Sequence, residues 1–347
     1  MSFLEAFKGR VLRGLMGLPR PMVAALAGTQ IQIEGQGLAP ELQLMLRLQR
    51  VLREPAAEDL PWEEARAALA MQSRLVGGSQ PIGSVRDITI DGPRGPIDLR
   101  LYTPTARLRS ESIPTLLFIH GGGMVYGGGH GTHDHAARFL AEHSGVQILS
   151  VDYRLAPEHP YPEGLDDCKA AYVWMVKNAA TIGADVERLA VGGDSAGGYF
   201  SAATAVYAAE QGLPLAFQLL IYPATDFVNR SASRDRFGDG FFLTNKFMDQ
   251  AQEAYIGSAD PHDPEISVLF RTDFPDGLAP AYVITAGFDP LRDEGEAYAQ
   301  LLAEHGVEVR QRRYPSMIHG FFNMVAAGRE TVSYNLETAD ELRRALG

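Results

Sequence analysis

A single cysteine, Cys168, stands among 347 residues, so an intrachain disulfide is excluded and neither a zinc-cysteine site nor a secreted disulfide scaffold is supported. Positive charge is also scarce: 31 Lys and Arg face 43 Asp and Glu, for a formal net charge of -12. That balance argues against a nucleic-acid or anionic-membrane partner, which would gain from a basic surface. No apolar run approaches a membrane span. The N-terminal stretch places Lys8, Arg10 and Arg13 before apolar residues, but Glu5, Pro19, Arg20 and Pro21 interrupt every candidate signal core, which predicts a cytoplasmic protein with an amphipathic N-terminal helix. Repeats and low-complexity linkers are lacking as well. What remains, 46% hydrophobic and 21% charged residues, is the composition of one large globular domain acting on a small neutral substrate.

Within that background one stretch stands out. An apolar run ending at Val191 breaks into Gly192-Gly193-Asp194-Ser195-Ala196-Gly197-Gly198, and residues 199–211 then continue with alanine and helical spacing. Gly193-x-Ser195-x-Gly197 between a buried strand and a helix fits a turn so sharp that the serine is strained and its neighbours two residues away must lack side chains. With 36 glycines in the chain the spacing alone is weak, and the strand-to-helix context carries the argument. A phosphate loop is excluded, because its closing Lys-Ser/Thr and the G-x-G-x-x-G register are missing.

Residues 2–78 read as helical, in two stripes broken at Glu54-Pro55, with no strand evident. An antiparallel hairpin is predicted over 85–90 and 97–102. Apolar runs at 115–119, 146–151, 189–193, 217–222, 281–285 and 307–314 then alternate with helical segments, which predicts an α/β protein with a mostly parallel central sheet flanked by helices. Residues 226–263 interrupt the rhythm with one helix, 246–256. Together with residues 1–80 this insertion is expected to form a helical cap over a catalytic domain spanning 81–347.

A serine hydroxyl needs a base, the base an orienting acid, and the oxyanion preorganised donors. Strand ends are where ligands bind in open parallel sheets. There the chain offers His120-Gly121-Gly122-Gly123, Asp289-Pro290-Leu291 and His319-Gly320-Phe321. His319 follows the last predicted strand and is the best base, whereas His305 precedes Gly306 at a helix end, where it suits a cap. Asp289 leads as acid over Asp293 and Glu294, whose charges already suit the first turn of a helix. Glycines after His120 free backbone N–H groups to face an oxyanion, joined by that of Ala196. His130, His133 and His135 look superficially like metal ligands, but no zincin pattern accompanies them and no metal is assigned. Arg154 is expected to brace its loop by pairing with Glu158 or Asp152.

These motifs, with Asp152-Tyr153-Arg154-Leu155-Ala156-Pro157-Glu158-His159, resemble the bacterial hormone-sensitive-lipase-like esterases from Val85 onward, in the branch with Gly-Asp-Ser-Ala-Gly. The resemblance implies an α/β-hydrolase fold with a helical cap. It implies a carboxylesterase without a cofactor, with catalytic Ser195, Asp289 and His319 and oxyanion donors Gly122, Gly123 and Ala196, and it allows a homodimer. Amide, lactone or N-acetyl hydrolysis by the same machinery stays open. Retention of His319 argues against a receptor that only binds a small ligand. Adjacency to the nucleophile nominates Tyr126, Asp194, Tyr199 and Phe200 as substrate contacts, and the insertion offers Phe227, Phe241 or Phe242.

Overall fold

The computed structural model describes residues 3–52 and 55–347. The chain begins with helices α1 (Phe3–Met16) and α2 (Arg20–Ala27), strands β1 (Gln32–Ile33) and β2 (Gln36–Gly37), and helices α3 (Pro40–Leu52) and α4 (Trp62–Gly77). The tiny β1–β2 hairpin corrects the expectation of an N-terminal region without strands. Glu34 and Gly35 both adopt positive φ, 54° and 75°, as a two-residue hairpin turn requires. Hydrogen bonds from outside the pair help to hold it: Ile31 N donates to Gln43 Oε1, and Gln43 Nε2 donates to Ala27 O and Thr29 O. Of the predicted Glu54-Pro55 break, Glu54 lies outside the described residues, as does Ser2.

The sheet domain follows with β3 (Ser84–Gly92), β4 (Gly95–Thr103), β5 (Ile113–Ile119), α5 (Gly129–Thr132), α6 (Asp134–Ser144), β6 (Gln147–Asp152), α7 (Glu163–Lys177) and α8 (Ala179–Ile182). It continues through β7 (Ala184–Asp194), α9 (Ala196–Glu210), β8 (Phe217–Ile221), α10 (Ala232–Phe237) and α11 (Asn245–Ile256). The chain ends with β9 (Ala281–Phe288), α12 (Arg292–Glu304), β10 (Val309–Ile318) and α13 (Arg329–Leu346). Eight strands form one sheet in the order β10-β9-β8-β7-β5-β6-β4-β3. The ladders from β10 to β6 are parallel, and those of β4 with β6 and with β3 are antiparallel.

Why the central strands read as unbroken apolar runs is visible in β5. Leu117 and Ile119 face a core shared with Leu165, Tyr172 and Ala202, while Leu116 and Phe118 face the opposite core with Leu140 and Leu342. Successive side chains point to opposite faces, so burial of both faces leaves no polar alternation. The chain leaves β5 for β6 on one side, crosses back from β6 to β7 on the other side of β5, and leaves β7 for β8 further out, so the connections leaving β5 and β7 diverge. Crevices at such reversals, outside the strand carboxyl ends, are where ligands bind in open α/β sheets.

The turn after β7 leaves no space for a side chain beside Ser195. A Cβ on Gly197 would sit 1.9 Å from Ile119 O, whereas one on Gly131 would meet only Ala70 Cβ at 4.0 Å. Gly197→Ala is therefore expected to cost roughly 2–3 kcal/mol or more of unfolding free energy. Gly131→Ala should stay within about 0.5 kcal/mol of the parent in the same urea titration.

Candidate active site

Ser195 is the residue between β7 and α9 and holds φ 58°, ψ -120°. Non-glycine residues rarely adopt such a backbone, and it persists only where the surroundings over-determine it. Here Ser195 N donates to Ile221 O at 2.9 Å, while Ser195 O accepts from Tyr199 N at 3.1 Å and Ala224 N at 3.2 Å. A Cβ on Gly193 would lie 2.1 Å from Ile119 O, so both glycines of the motif are needed for the turn to close on the end of β5.

His319 and Asp289 come from the ends of β10 and β9. His319 Nε2 lies 2.9 Å from Ser195 Oγ, and His319 Nδ1 lies 2.8 Å from Asp289 Oδ2. Asp289 is fully buried, and its other oxygen accepts from Leu291 N at 2.8 Å, which fixes the carboxylate plane. In this arrangement Nδ1–H donates to Asp289 and leaves Nε2 free to accept the serine proton.

The rival acid Asp293 is spoken for: it accepts from Ser233 N at 2.8 Å and from Arg292 Nε at 2.8 Å, fastening α10 to α12. Glu294 is buried beneath the start of the insertion and accepts from Thr225 N at 2.8 Å and Asp226 N at 3.3 Å. His305 caps α12, with Nδ1 2.9 Å from Leu301 O.

The loop after β5 carries the candidate oxyanion donors. Gly122 and Gly123 take φ of 123° and 62°, and Gly122 O accepts from Tyr126 N at 2.8 Å, which curls the loop. Ala196 is the first residue of α9, so its N–H has no acceptor within the helix. The preceding N–H, that of Gly121, donates to Asp194 Oδ1 at 2.9 Å. Asp194 therefore ties the glycine loop to the turn that carries Ser195. Its carboxylate lies 3.1 Å from His133 Nε2 and accepts from Asn323 Nδ2 at 3.3 Å. Burial pushes the Asp194 carboxyl upward most strongly, but His133, the Gly121 N–H and His319 together outweigh it and leave its pKa below the ordinary value. Below the loop, His120 stacks on Tyr153 at 4.2 Å between ring centroids and accepts the Tyr153 hydroxyl on its carbonyl at 2.9 Å. Burial lowers the His120 pKa to about 4, so a neutral ring supports the loop at neutral pH.

A cavity of about 440 Å³ opens over Ser195 and His319. Its walls include Met45 and Leu46 from α3, Leu69 from α4, Tyr126 from the glycine loop, and Phe242 and Phe247 from the insertion. The two outer pieces touch, through Thr244 Oγ1 donating to Glu58 and Lys246 pairing with Asp59.

Several sequence expectations change here. Tyr126, Asp194 and Phe242 line the cavity, but Tyr199, Phe200, Phe227 and Phe241 do not. Tyr199 is fully buried, with its hydroxyl donating to Glu265 O at 2.9 Å and its ring edge-on to Phe227. Phe200 packs edge-on against Tyr153, and Phe241 packs edge-on against Phe237 and at a tilt against Phe288. Nearness in sequence misled for Tyr199 and Phe200 because α9 carries them away from the hydroxyl of Ser195 into the layer beneath. Arg154 pairs with Asp167, through both its guanidinium and its backbone N–H, while Glu158 is held by Arg66. The histidine trio disperses: His133 serves Asp194, and His135 Nε2 lies 3.0 Å from Ser73 Oγ. Among the described residues no group of three His, Cys, Asp or Glu could hold a metal ion. The contacts of His133 and Asn323 with Asp194, and the place of Phe247, have no signal in the local sequence.

Residues 116–323 match the profile of a family described as having the alpha/beta hydrolase fold. The chain belongs to that family, in its hormone-sensitive-lipase-like branch. This hydrolase-fold chain is 39% identical to the carboxylic ester hydrolase LipN of Mycobacterium tuberculosis, over 95% of its own length and 89% of the relative's. To the ethyl acetate hydrolase of Pseudomonas putida it is 36% identical, covering 83% of this chain and 92% of the other. Among solved structures, an ester hydrolase from the metagenome of Lake Arreo is 42% identical with a TM-score of 0.83, covering 89% of this chain and 98% of that one. The esterase of Pyrobaculum calidifontis, 36% identical, has a TM-score of 0.82 over 88% and 98% of the two chains. No helix among the described residues is long and apolar enough to cross a membrane.

The buried acid at the root of the insertion gives a pH test of the hydrolase fold. Burial raises the Glu294 pKa from 4.5 to about 8, against the pull of the two N–H donors. Between those values the folded chain keeps a proton that the unfolded chain has lost, so this group's contribution to stability falls as pH rises through the window and is at its minimum above it. Glu294→Gln keeps an acceptor oxygen but cannot ionise. Its unfolding free energy relative to the parent is expected to shift in the variant's favour from about pH 5 to about pH 9; a difference independent of pH would refute the assignment.

Proposed function

We propose that this protein hydrolyses short- to medium-chain carboxylic esters through an acyl-enzyme on Ser195. The observation that carries the reading is the continuous relay from Ser195 Oγ through His319 to buried Asp289, 2.9 Å and 2.8 Å long, at the floor of a largely apolar cavity. In this reading Ser195 Oγ attacks the ester carbonyl while His319 Nε2 takes its proton. The oxyanion is held by the N–H groups of Gly122, Gly123 and Ala196. Collapse of the tetrahedral intermediate expels the alcohol, which His319 protonates, and water then repeats the sequence to release the acid. The named activities of the relatives support ester substrates, and no step draws on a cofactor. Residues 1–80 and 226–263 are assigned as a cap, supported by their joint lining of the cavity and their contact through Glu58 and Thr244. We also assign a cytoplasmic location, which the lone buried thiol of Cys168 supports.

Replacing Ser195 by Ala is expected to lower ester turnover by roughly 10^4-fold or more, and Asp289→Asn by a comparable order, because the three groups act as a unit. Asp293→Asn should stay within a few-fold, since the amide still accepts from Ser233 N. A crippled Asp293→Asn beside a mild Asp289→Asn would overturn the choice of acid.

Acyl length follows from the walls. Tyr126, Phe242 and Phe247 bound the cavity with rigid rings, so methylenes are rewarded only until the slot is full. Each buried methylene contributes about 0.8 kcal/mol, or about fourfold in kcat/KM. In a p-nitrophenyl ester series kcat/KM is expected to rise from acetyl to about butanoyl or hexanoyl and then to drop. A maximum at dodecanoyl or beyond would show the slot to be open, and preferential cleavage of anilides would move the protein to the amidases.

A further inference from the structure

We propose that the outward face of α1, α2 and the end of α3 docks on an anionic lipid surface. Large apolar side chains that remain exposed are concentrated there: Phe7 (58%), Val11 (45%), Met22 (52%), Leu26 (45%), Val51 (70%) and Leu52 (65%). Only five others are found among all the remaining described residues, so the exposed large apolar groups are concentrated in these three helices. The fold does not call for them. The inward faces of these helices are already satisfied by buried Met16, Val23, Ala27 and Leu44.

Charge identifies the occupant. Residues 1–52 carry six Lys and Arg against three Glu, whereas the chain as a whole is at -12. The overall negative charge, which by itself argues against an anionic membrane, averages over two regions of opposite sign. Two of the three carboxylates of the basic region are drawn into the fold: Glu41 is buried and accepts from Glu330 N, and Glu34 pairs with Arg292 and Arg236. Of the cations, Arg13 donates to Leu75 O and Arg20 pairs with Glu330, while Lys8, Arg10, Arg47 and Arg50 stay with the apolar groups. Phe7 and Val11 lie one turn apart on α1, with exposed Lys8 and Arg10 on either flank. Arg47 reaches the carbonyl of exposed Leu26, and Arg50 directly precedes Val51 and Leu52.

Apolar groups bordered by basic side chains suit the boundary between acyl chains and anionic headgroups. A polyanion without hydrocarbon would leave the apolar groups in water. A second copy of the same face would set cations against cations. The docked face also adjoins the cavity, since Met45, Leu46 and Arg50 of α3 form part of its wall, so esters dissolved in lipid would have a short path to Ser195. This last consequence rests on the esterase reading, whereas the docking does not.

The test measures binding of the full-length Ser195→Ala protein to sedimenting vesicles of phosphatidylcholine, alone or with about 30 mol % phosphatidylglycerol. Partitioning is expected to be about tenfold or more stronger on the anionic vesicles and to fall as salt is raised. Phe7→Ser/Val11→Ser and Lys8→Gln/Arg10→Gln should each weaken it several-fold, while in the Ser195 background both leave turnover of a short soluble ester unchanged. Equal partitioning to the two vesicle types, or none to either, overturns the proposal. So does a concentration-dependent dimer that Phe7→Ser/Val11→Ser dissolves, which would assign the face to a second copy. Because binding is read on the Ser195→Ala variant, failure here leaves the esterase reading untouched, and loss of ester turnover leaves the docking untouched.

Discussion

The carbonyl of Ile119, the last residue of β5, presses so closely on the turn after β7 that neither Gly193 nor Gly197 has space for a Cβ. Much of the site follows from that contact. Two adjacent parallel strands end at the same level, and their loops must share one small volume. The β7 loop solves the crowding by turning at once into α9 with Ser195 at positive φ, and the β5 loop by running through consecutive glycines. A serine held in this way has little freedom to retreat from His319, so its position comes from the backbone and not from a rotamer choice.

Asp194 joins those two loops electrically. Its carboxylate takes the N–H of Gly121 and meets His133 and Asn323, which arrive from the start of α6 and from the turn after β10. A buried carboxylate is tolerated only when its oxygens are occupied. The same groups that satisfy it thereby fix the glycine loop relative to Ser195. Neutral His120, stacked on Tyr153, supports the loop from beneath without adding a second charge. The start of α12 does comparable work on the other side, where Asp293 accepts from Ser233 N and Glu294 from Thr225 N, which fastens the segment from Thr225 to Ser233 to the sheet domain.

The sheet rhythm, the chain order of Ser195, Asp289 and His319, and the glycine loop after His120 are legible in the linear sequence. Each is written locally, by an apolar run that ends in a turn residue, and the sheet then aligns the strand ends whatever lies between them. Strand lengths were less legible: β9 runs on to Phe288 and β10 to Ile318, because parallel pairing continues past the most apolar residues. The Glu34-Gly35 hairpin was missed because it is too short to show alternation and is held by Gln43 from outside the pair.

The chain by itself thus determined which chemistry-bearing residues stand at strand ends, since period-two burial and glycine-bearing turns are properties of neighbours in sequence. Only the tertiary structure decided which of them touch. Arg154 pairs with Asp167 while Glu158 is held by Arg66, His133 left an apparent histidine trio for Asp194, and the cavity wall took Phe247 from a distant helix while Tyr199, four residues from Ser195, turned into the core. Hydrogen bonds and packing depend on direction in space, and direction is set only when helices and strands far apart in sequence come to rest against one another.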